Sequence, residues 1–143
     1  MDPSIKQFIS AQAPDRQMVL TGIHSIIIEE DKTVVPLVEP MMGKEMIVYK
    51  ARGMMKYALA GVKNYMSLHV LPIYGSKTLH AKYQGLLDQA DFQKGCINFD
   101  AAAKMPLDIV RQLISDTAGI DLVRIREEYL KEKKAKAKAP KKA

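Results

Sequence analysis

Cysteine is almost missing from this 143-residue chain: Cys96 stands alone. Its solitude excludes an intramolecular disulfide and any zinc site built from several cysteines. Long apolar runs are also lacking, and no stretch approaches the ~18–20 residues that a membrane-crossing helix needs. The amino terminus, MDPSIKQFIS, has no basic segment leading into an apolar one, so no secretory signal is read and the expected location is cytoplasmic. Phosphate-cradling loops are absent: Gly43-Lys44 lacks the other Walker residues, and no GxGxxG occurs. Neither is there a Gly-x-Ser-x-Gly elbow to present a serine nucleophile.

Acidic and basic charge balance over most of the chain, which removes a further class. The formal charge is +6, but it is concentrated in KEKKAKAKAPKKA, residues 131–143. Seven of the 22 basic residues and one of the 16 acidic ones lie there, leaving 15 of each in residues 1–130. The expectation is one domain over 1–130 followed by a Lys/Ala-rich basic tail. The body offers no basic stripe and no nucleic-acid motif. The tail lysines Lys131, Lys133, Lys134, Lys136, Lys138, Lys141 and Lys142 would give only weak, salt-sensitive contact with nucleic acid or another polyanion.

What is present is an α+β pattern. Asp2-Pro3 reads as an N-cap with proline at the first helical position. A second helix is expected over about 14–30, on the stripe Val19, Leu20, Ile23, Ile26 and Ile27. EMIVYK, MMKYALA and YMSLHVL then read as strands in consecutive hairpins. In the last of these, Met66, Leu68 and Val70 alternate with Tyr65, Ser67 and His69, giving one core face and one wet face. A helix follows over about 76–88, and a polar loop through Asp91 and Gln93 leads to a strand at Gly95–Phe99. Pro106 opens a helix that Gly119 would close as a left-handed residue. Asp121 would cap the last helix, with Ile120 and Ile125 as a hydrophobic staple. That helix could run on towards Pro140, although its lysines repel one another. The fold class expected is an antiparallel sheet of about five strands, with helices mainly on one face and helices at both ends.

Three segments, in this order and spacing, resemble the YdhG-like family of domains of unknown function. They are Met42-Gly43-Lys44-Glu45-Met46, Val62-Lys63-Asn64-Tyr65-Met66-Ser67-Leu68, and Lys94-Gly95-Cys96-Ile97-Asn98-Phe99 leading into Pro106-Leu107-Asp108-Ile109-Val110. The resemblance covers about residues 15–118. It implies an antiparallel sheet with helices on one side, distantly frataxin-like, and no established catalytic set. Common members carry an aromatic-Gly-x-Pro motif where Glu39-Pro-Met-Met-Gly43 stands here. No resident cofactor is implied, and iron is the one ion the frataxin-like relationship raises.

The candidate sites follow from these readings. A non-enzymatic binding module would use the polar sheet face, with Tyr49, Lys63, Tyr65 and His69 meeting a small ligand or a protein. An iron carrier would use Glu29, Glu30 and Asp31, since hard cations prefer carboxylate oxygens. Adjacent residues on a helix do not share a face, so these three would have to converge at a frayed end. Cys96, flanked by Gly95 and Ile97 in an apolar strand, reads as a packed thiol. The nine methionines read as core filling.

Overall fold

The computed structural model describes residues 1–41 and 43–138, with the side chains of residues 137 and 138 excepted. These residues form five α-helices and one six-stranded sheet: α1 (Pro3–Ser10), α2 (Pro14–Glu30), β1 (Val35–Met41), β2 (Lys44–Ala51), β3 (Met54–Gly61), β4 (Met66–Val70), α3 (Lys77–Leu86), β5 (Asp91–Gln93), β6 (Cys96–Phe99), α4 (Leu107–Ala118) and α5 (Leu122–Lys138). Every pairing is antiparallel, and the strand order is β1-β2-β3-β4-β6-β5. The fold class is therefore the α+β one expected, with one strand more than the count of five.

Local chemistry sets the helix starts. Asp2 Oδ1 accepts from Ser4 N at 2.8 Å, and Pro3 occupies the first helical position, where its missing N–H costs nothing. Ser76 caps α3 through Leu79 N, and Asp121 caps α5 through Arg124 N at 3.1 Å. The β2–β3 hairpin turns on Arg52 and Gly53, with φ of 52° and 78°. Two successive left-handed residues match the right-handed twist of the strands they join, and glycine supplies the second without strain.

The core lies between the sheet and four helices. Ile5 and Phe8 of α1, Leu20, Ile23 and Ile27 of α2, Tyr83 of α3 and Val110, Leu113 and Ile114 of α4 pack on Ile47, Tyr49, Tyr57, Leu59, Met66, Leu68, Val70, Ile97 and Phe99. These strand residues share one face by register, and the alternation in β4 places Met66, Leu68 and Val70 there. Helices α2 and α4 approach closely at Gly22, where a Cβ would lie 2.8 Å from Leu107 Cδ1.

Two expected details differ. Gly119 has φ −77°, so α4 ends in a right-handed turn, with Ile120 N bonded back to Thr117 O at 3.0 Å. Ile125, at N4 of the expected staple, is 53% exposed. Arg52 anchors the start of α5 instead, pairing with Asp121 at 3.0 Å and Glu127 at 3.5 Å. From Arg124 to Lys136 every α5 residue is exposed, so the helix leaves the body rather than packing along it. No helix among the described residues is long and apolar enough to cross a membrane.

Candidate functional site

On the face of the sheet opposite the core, no helix residue among the described ones belongs to the apolar cluster or lines the cavity found there. One row across this face, fixed by register, runs Leu37, Val48, Ala58, His69, Cys96, Gln93. A neighbouring row contains Ala60, Ser67, Asn98 and Asp91. The two halves of the face differ in chemistry. Towards β2, Met46, Val48, Ala58 and Ala60 form a small apolar cluster with Met41 and Met55 against it. Towards β4 and β6 the side chains are hydroxyl, imidazole, thiol and amide.

Between the halves lies a cavity of about 310 Å³, lined by Met41, Lys44, Met46, Ala60, Val62, Tyr65, Ser67, His69, Gln93, Cys96 and Asn98. All of these belong to strands or to the β3–β4 connection, and no helix residue contributes among the described ones. The hollow follows from side-chain length. Ala60, on a middle strand, brings only a methyl group to a lining that also holds the longer side chains of Met46, Tyr65 and His69. The size lies at the lower end of what small-ligand sites occupy, about 300–1,000 Å³.

Two contacts fix the polar wall. Ser67 Oγ donates to Asn98 Oδ1 at 2.8 Å across the β4–β6 pair. His69 Nδ1 lies 3.1 Å from Cys96 Sγ, and Nε2 lies 4.0 Å away. The two residues face each other directly in register. Burial pushes the Cys96 thiol up and the His69 imidazole down from their ordinary values. Both shifts favour the neutral thiol and the neutral imidazole.

Of the four ligand residues expected from sequence, Tyr65 and His69 meet in this cavity. Lys63 lines a different one, a groove of about 700 Å³ that also takes in Gln7, Phe8 and Gln12 of α1. Tyr49 is a correction. It lies on the core face, fully buried, with its hydroxyl 2.6 Å from His24 Nδ1. The physical reason is parity: Tyr49 pairs with Tyr57 and so shares the inward face with it, while Lys50 takes the outward one. Tyr65 also borders a cavity of about 340 Å³ at the sheet edge, beside Asp91, Asn98, Asp100 and Lys104.

The acidic trio does not converge. Glu29 and Glu30 both pair with Arg111 of α4, at 2.9 and 2.6 Å. Asp31 turns inward and is 1% exposed. Its Oδ2 lies 2.7 Å from Lys56 Nζ and accepts from Tyr57 Oη at 2.8 Å, and its Oδ1 accepts from Thr33 N at 3.0 Å. Burial works to raise this carboxyl, but the hydrogen bonds from Lys56, Thr33 and Tyr57 outweigh it and hold it below the ordinary carboxylate range. These partners also answer why three acids end a helix whose dipole disfavours them. Among the described residues, no group of three or more His, Cys, Asp or Glu side chains is placed to hold a metal ion.

Of the tail lysines, Lys131, Lys133, Lys134 and Lys136 stand on the exposed part of α5, and Lys138 is its last residue. Lys141 and Lys142 lie outside the described residues.

Two features of the cavity had no reading in the sequence: the Cys96–His69 contact and the Ser67–Asn98 bond. Each joins β4 to β6 across α3 and β5. The only available signal was the alternation of YMSLHVL, which puts Ser67 and His69 on one face without naming what they meet.

Two histidines, His24 buried and His69 half-buried, bear on stability. Burial lowers the value of both His24 and His69, so the unfolded chain takes up protons more readily than the folded one below the ordinary histidine value. Their contribution is fully present above about pH 6.5 and declines as pH falls through the folded-state values. The melting temperature is therefore expected to drop between about pH 7.5 and about pH 5.5, measured by circular dichroism, and to drop less in His69→Gln.

Comparison with known proteins returns no match: no family model, curated protein or solved structure is significantly similar to this chain. The chain is thus defined by its own architecture, an open antiparallel sheet with four helices on one face and a strand-lined cavity on the other.

Proposed function

We propose that the protein is a binding module of the YdhG-like kind, without catalytic turnover, whose site is the cavity on the face of the sheet opposite the core. One observation carries this reading. The outer face of an antiparallel sheet ordinarily turns polar side chains to water, whereas here a buried apolar cluster adjoins hydrogen-bonding groups across a hollow that Ala60 lines. Met41 and Met46 offer a soft apolar wall. Tyr65, Ser67, Asn98 and Gln93 offer donors and acceptors to orient a small ligand. No specific observation favours the iron-carrier reading, since Asp31 is occupied by Lys56 and the two glutamates by Arg111.

The test is a fragment screen by two-dimensional amide NMR on the full chain. Hits are expected to shift amides of Tyr65–His69 and Cys96–Asn98, and to lose those shifts in Tyr65→Ala and His69→Gln. Hits confined to the groove beside α1 would refute the assignment.

A further inference from the structure

Cys96 and His69 form more than an isolated thiol beside a ring. A nucleophile and a base in hydrogen-bond contact, 3.1 Å from Sγ to Nδ1, share the wall of one cavity. The remaining lining narrows what could meet them. Among the described residues it contains one cation, Lys44, the amide of Asn98 and no carboxylate, while the Gln93 amide donates to Asp91 Oδ2 at 3.2 Å. Ser67 donates to Asn98 Oδ1, which turns the Asn98 oxygen away from a ligand and leaves its amide hydrogens as donors. Such a wall suits an anionic ligand bearing carbonyl groups. Cys96 is also the only cysteine, so no second thiol of this chain can resolve an oxidised Cys96.

We propose that the cavity captures a small peptidic disulfide carrying a carboxylate, and that Cys96 forms a mixed disulfide with it. The inference rests on the reading of this cavity as the ligand site. The Cys96 proton passes to His69 Nδ1 as Sγ attacks one sulfur of the incoming disulfide. The new Sγ–S bond forms as the old S–S bond breaks, and the departing thiolate takes the proton back from His69. One protein thiol and one disulfide become one mixed disulfide and one free small thiol, with no other oxidant. Lys44 faces the ligand carboxylate, and the Asn98 amide one of its peptide carbonyls. With no resolving cysteine the adduct persists until an external thiol removes it, so the protein stores the ligand rather than turning it over.

His69 has a definite role in this step. A thiol pushed up by burial ionises poorly at neutral pH, and an unprotonated imidazole in contact removes that handicap during attack. The other titratable groups facing the pair are Lys44 from β2 and Tyr65 before β4; Asp91 and Asp100 belong to the adjoining edge cavity.

The experiment uses the full chain and glutathione disulfide as probe, followed by intact mass spectrometry. One glutathionyl adduct is expected on the wild type and none on Cys96→Ser. In His69→Gln the rate should fall at least about tenfold near pH 7. It should approach the wild-type rate as the pH is raised into the alkaline range and the thiol ionises without help; a merely structural role would not restore the rate at high pH. Thermal melts of both variants establish that they are folded. A wild type that takes no adduct, or a His69→Gln variant that reacts at the wild-type rate near pH 7, overturns the proposal. S-methylglutathione, which cannot exchange, separates the covalent step from the binding reading through amide shifts in Cys96→Ser. Shifts at the cavity without any wild-type adduct would refute the covalent step and leave the site standing. Neither shifts nor adduct would remove both.

Discussion

Replacing Lys56 with methionine is expected to cost about 3–5 kcal/mol of folding free energy and about 10–20 °C of melting temperature. The reason lies in an irregularity of the sheet. Between Tyr49 and Lys50 the β2–β3 register shifts, so that Tyr49 pairs with Tyr57 and Lys50 with Met55, leaving Lys56 without a partner residue. Such a bulge re-aims a side chain. The re-aimed Lys56 runs inward and is 2% exposed. Its ammonium lies 2.7 Å from Asp31 Oδ2, 2.8 Å from Ala118 O and 3.4 Å from Thr33 Oγ1. Tyr57 Oη, which donates to Asp31, also sits 3.1 Å from Thr117 Oγ1. One cation thereby satisfies the ends of both α2 and α4, where the helix dipoles favour positive charge.

Removing the ammonium leaves the Asp31 carboxylate buried and unpaired, which is the expensive way to break such a pair. Removing both charges is different. Lys56→Met combined with Asp31→Leu is expected to be more stable than Lys56→Met alone, because no charge remains to be solvated. Denaturant titrations of the three proteins decide the matter, and a Lys56→Met variant within about 1 kcal/mol of the wild type would show that the pair is structurally idle. The pH dependence runs in a fixed direction. Asp31 is held below its ordinary value, so its contribution is fully present above about pH 4 and is lost as pH falls through the folded-state value. That part of the acid sensitivity should vanish in the double variant.

Lys56 also shows which parts of this fold were legible in the sequence. The helices were, because their signals are local: Asp2-Pro3 caps α1 as expected, and the stripe of Val19, Leu20, Ile23, Ile26 and Ile27 is buried along α2. Strand β4 was legible for the same reason, its alternation being written in seven consecutive residues. Strand β1 was not, since Pro36 and Pro40 argue against a strand. They are tolerated because β1 lies at the sheet edge, where a missing N–H breaks no ladder. Strand β5 is only three residues long and forms the other edge. The bulge at Lys56, the inward parity of Tyr49 and the meeting of His69 with Cys96 all depend on which residue faces which across two strands. Alternation sets two faces for each strand but does not say how neighbouring strands align, and a slip of one residue exchanges the faces. The half of the cavity that was foreseen, Tyr65 and His69, came from one strand and its approach; the unforeseen half, Cys96 and Asn98, came from a strand that joins it only after α3 and β5 intervene.

The two tyrosines that the sequence placed together should now respond in opposite ways. Tyr49→Ala is expected to cost about 3–5 kcal/mol, since it empties a fully buried ring site between α2 and β3. Within that site the ring of Tyr49 meets His24 at 5.6 Å and Tyr57 edge-on at 6.5 Å. Tyr49→Phe keeps the ring but leaves His24 Nδ1 without its 2.6 Å partner, a loss of about 1–3 kcal/mol for a buried polar group. Tyr65 is 40% exposed at the cavity rim, so Tyr65→Ala should stay within about 0.5 kcal/mol of the wild type. Fragment binding should follow the reverse order, weakened in Tyr65→Ala and retained in Tyr49→Phe. Chemical denaturation and amide NMR on the same three variants test both halves at once. A large stability loss in Tyr65→Ala would mean that the outer face is a second core, and the cavity would then be a packing defect. A stable Tyr65→Ala variant with altered binding would separate the two faces: the helices pack on one, and the cavity on the other is the proposed ligand site.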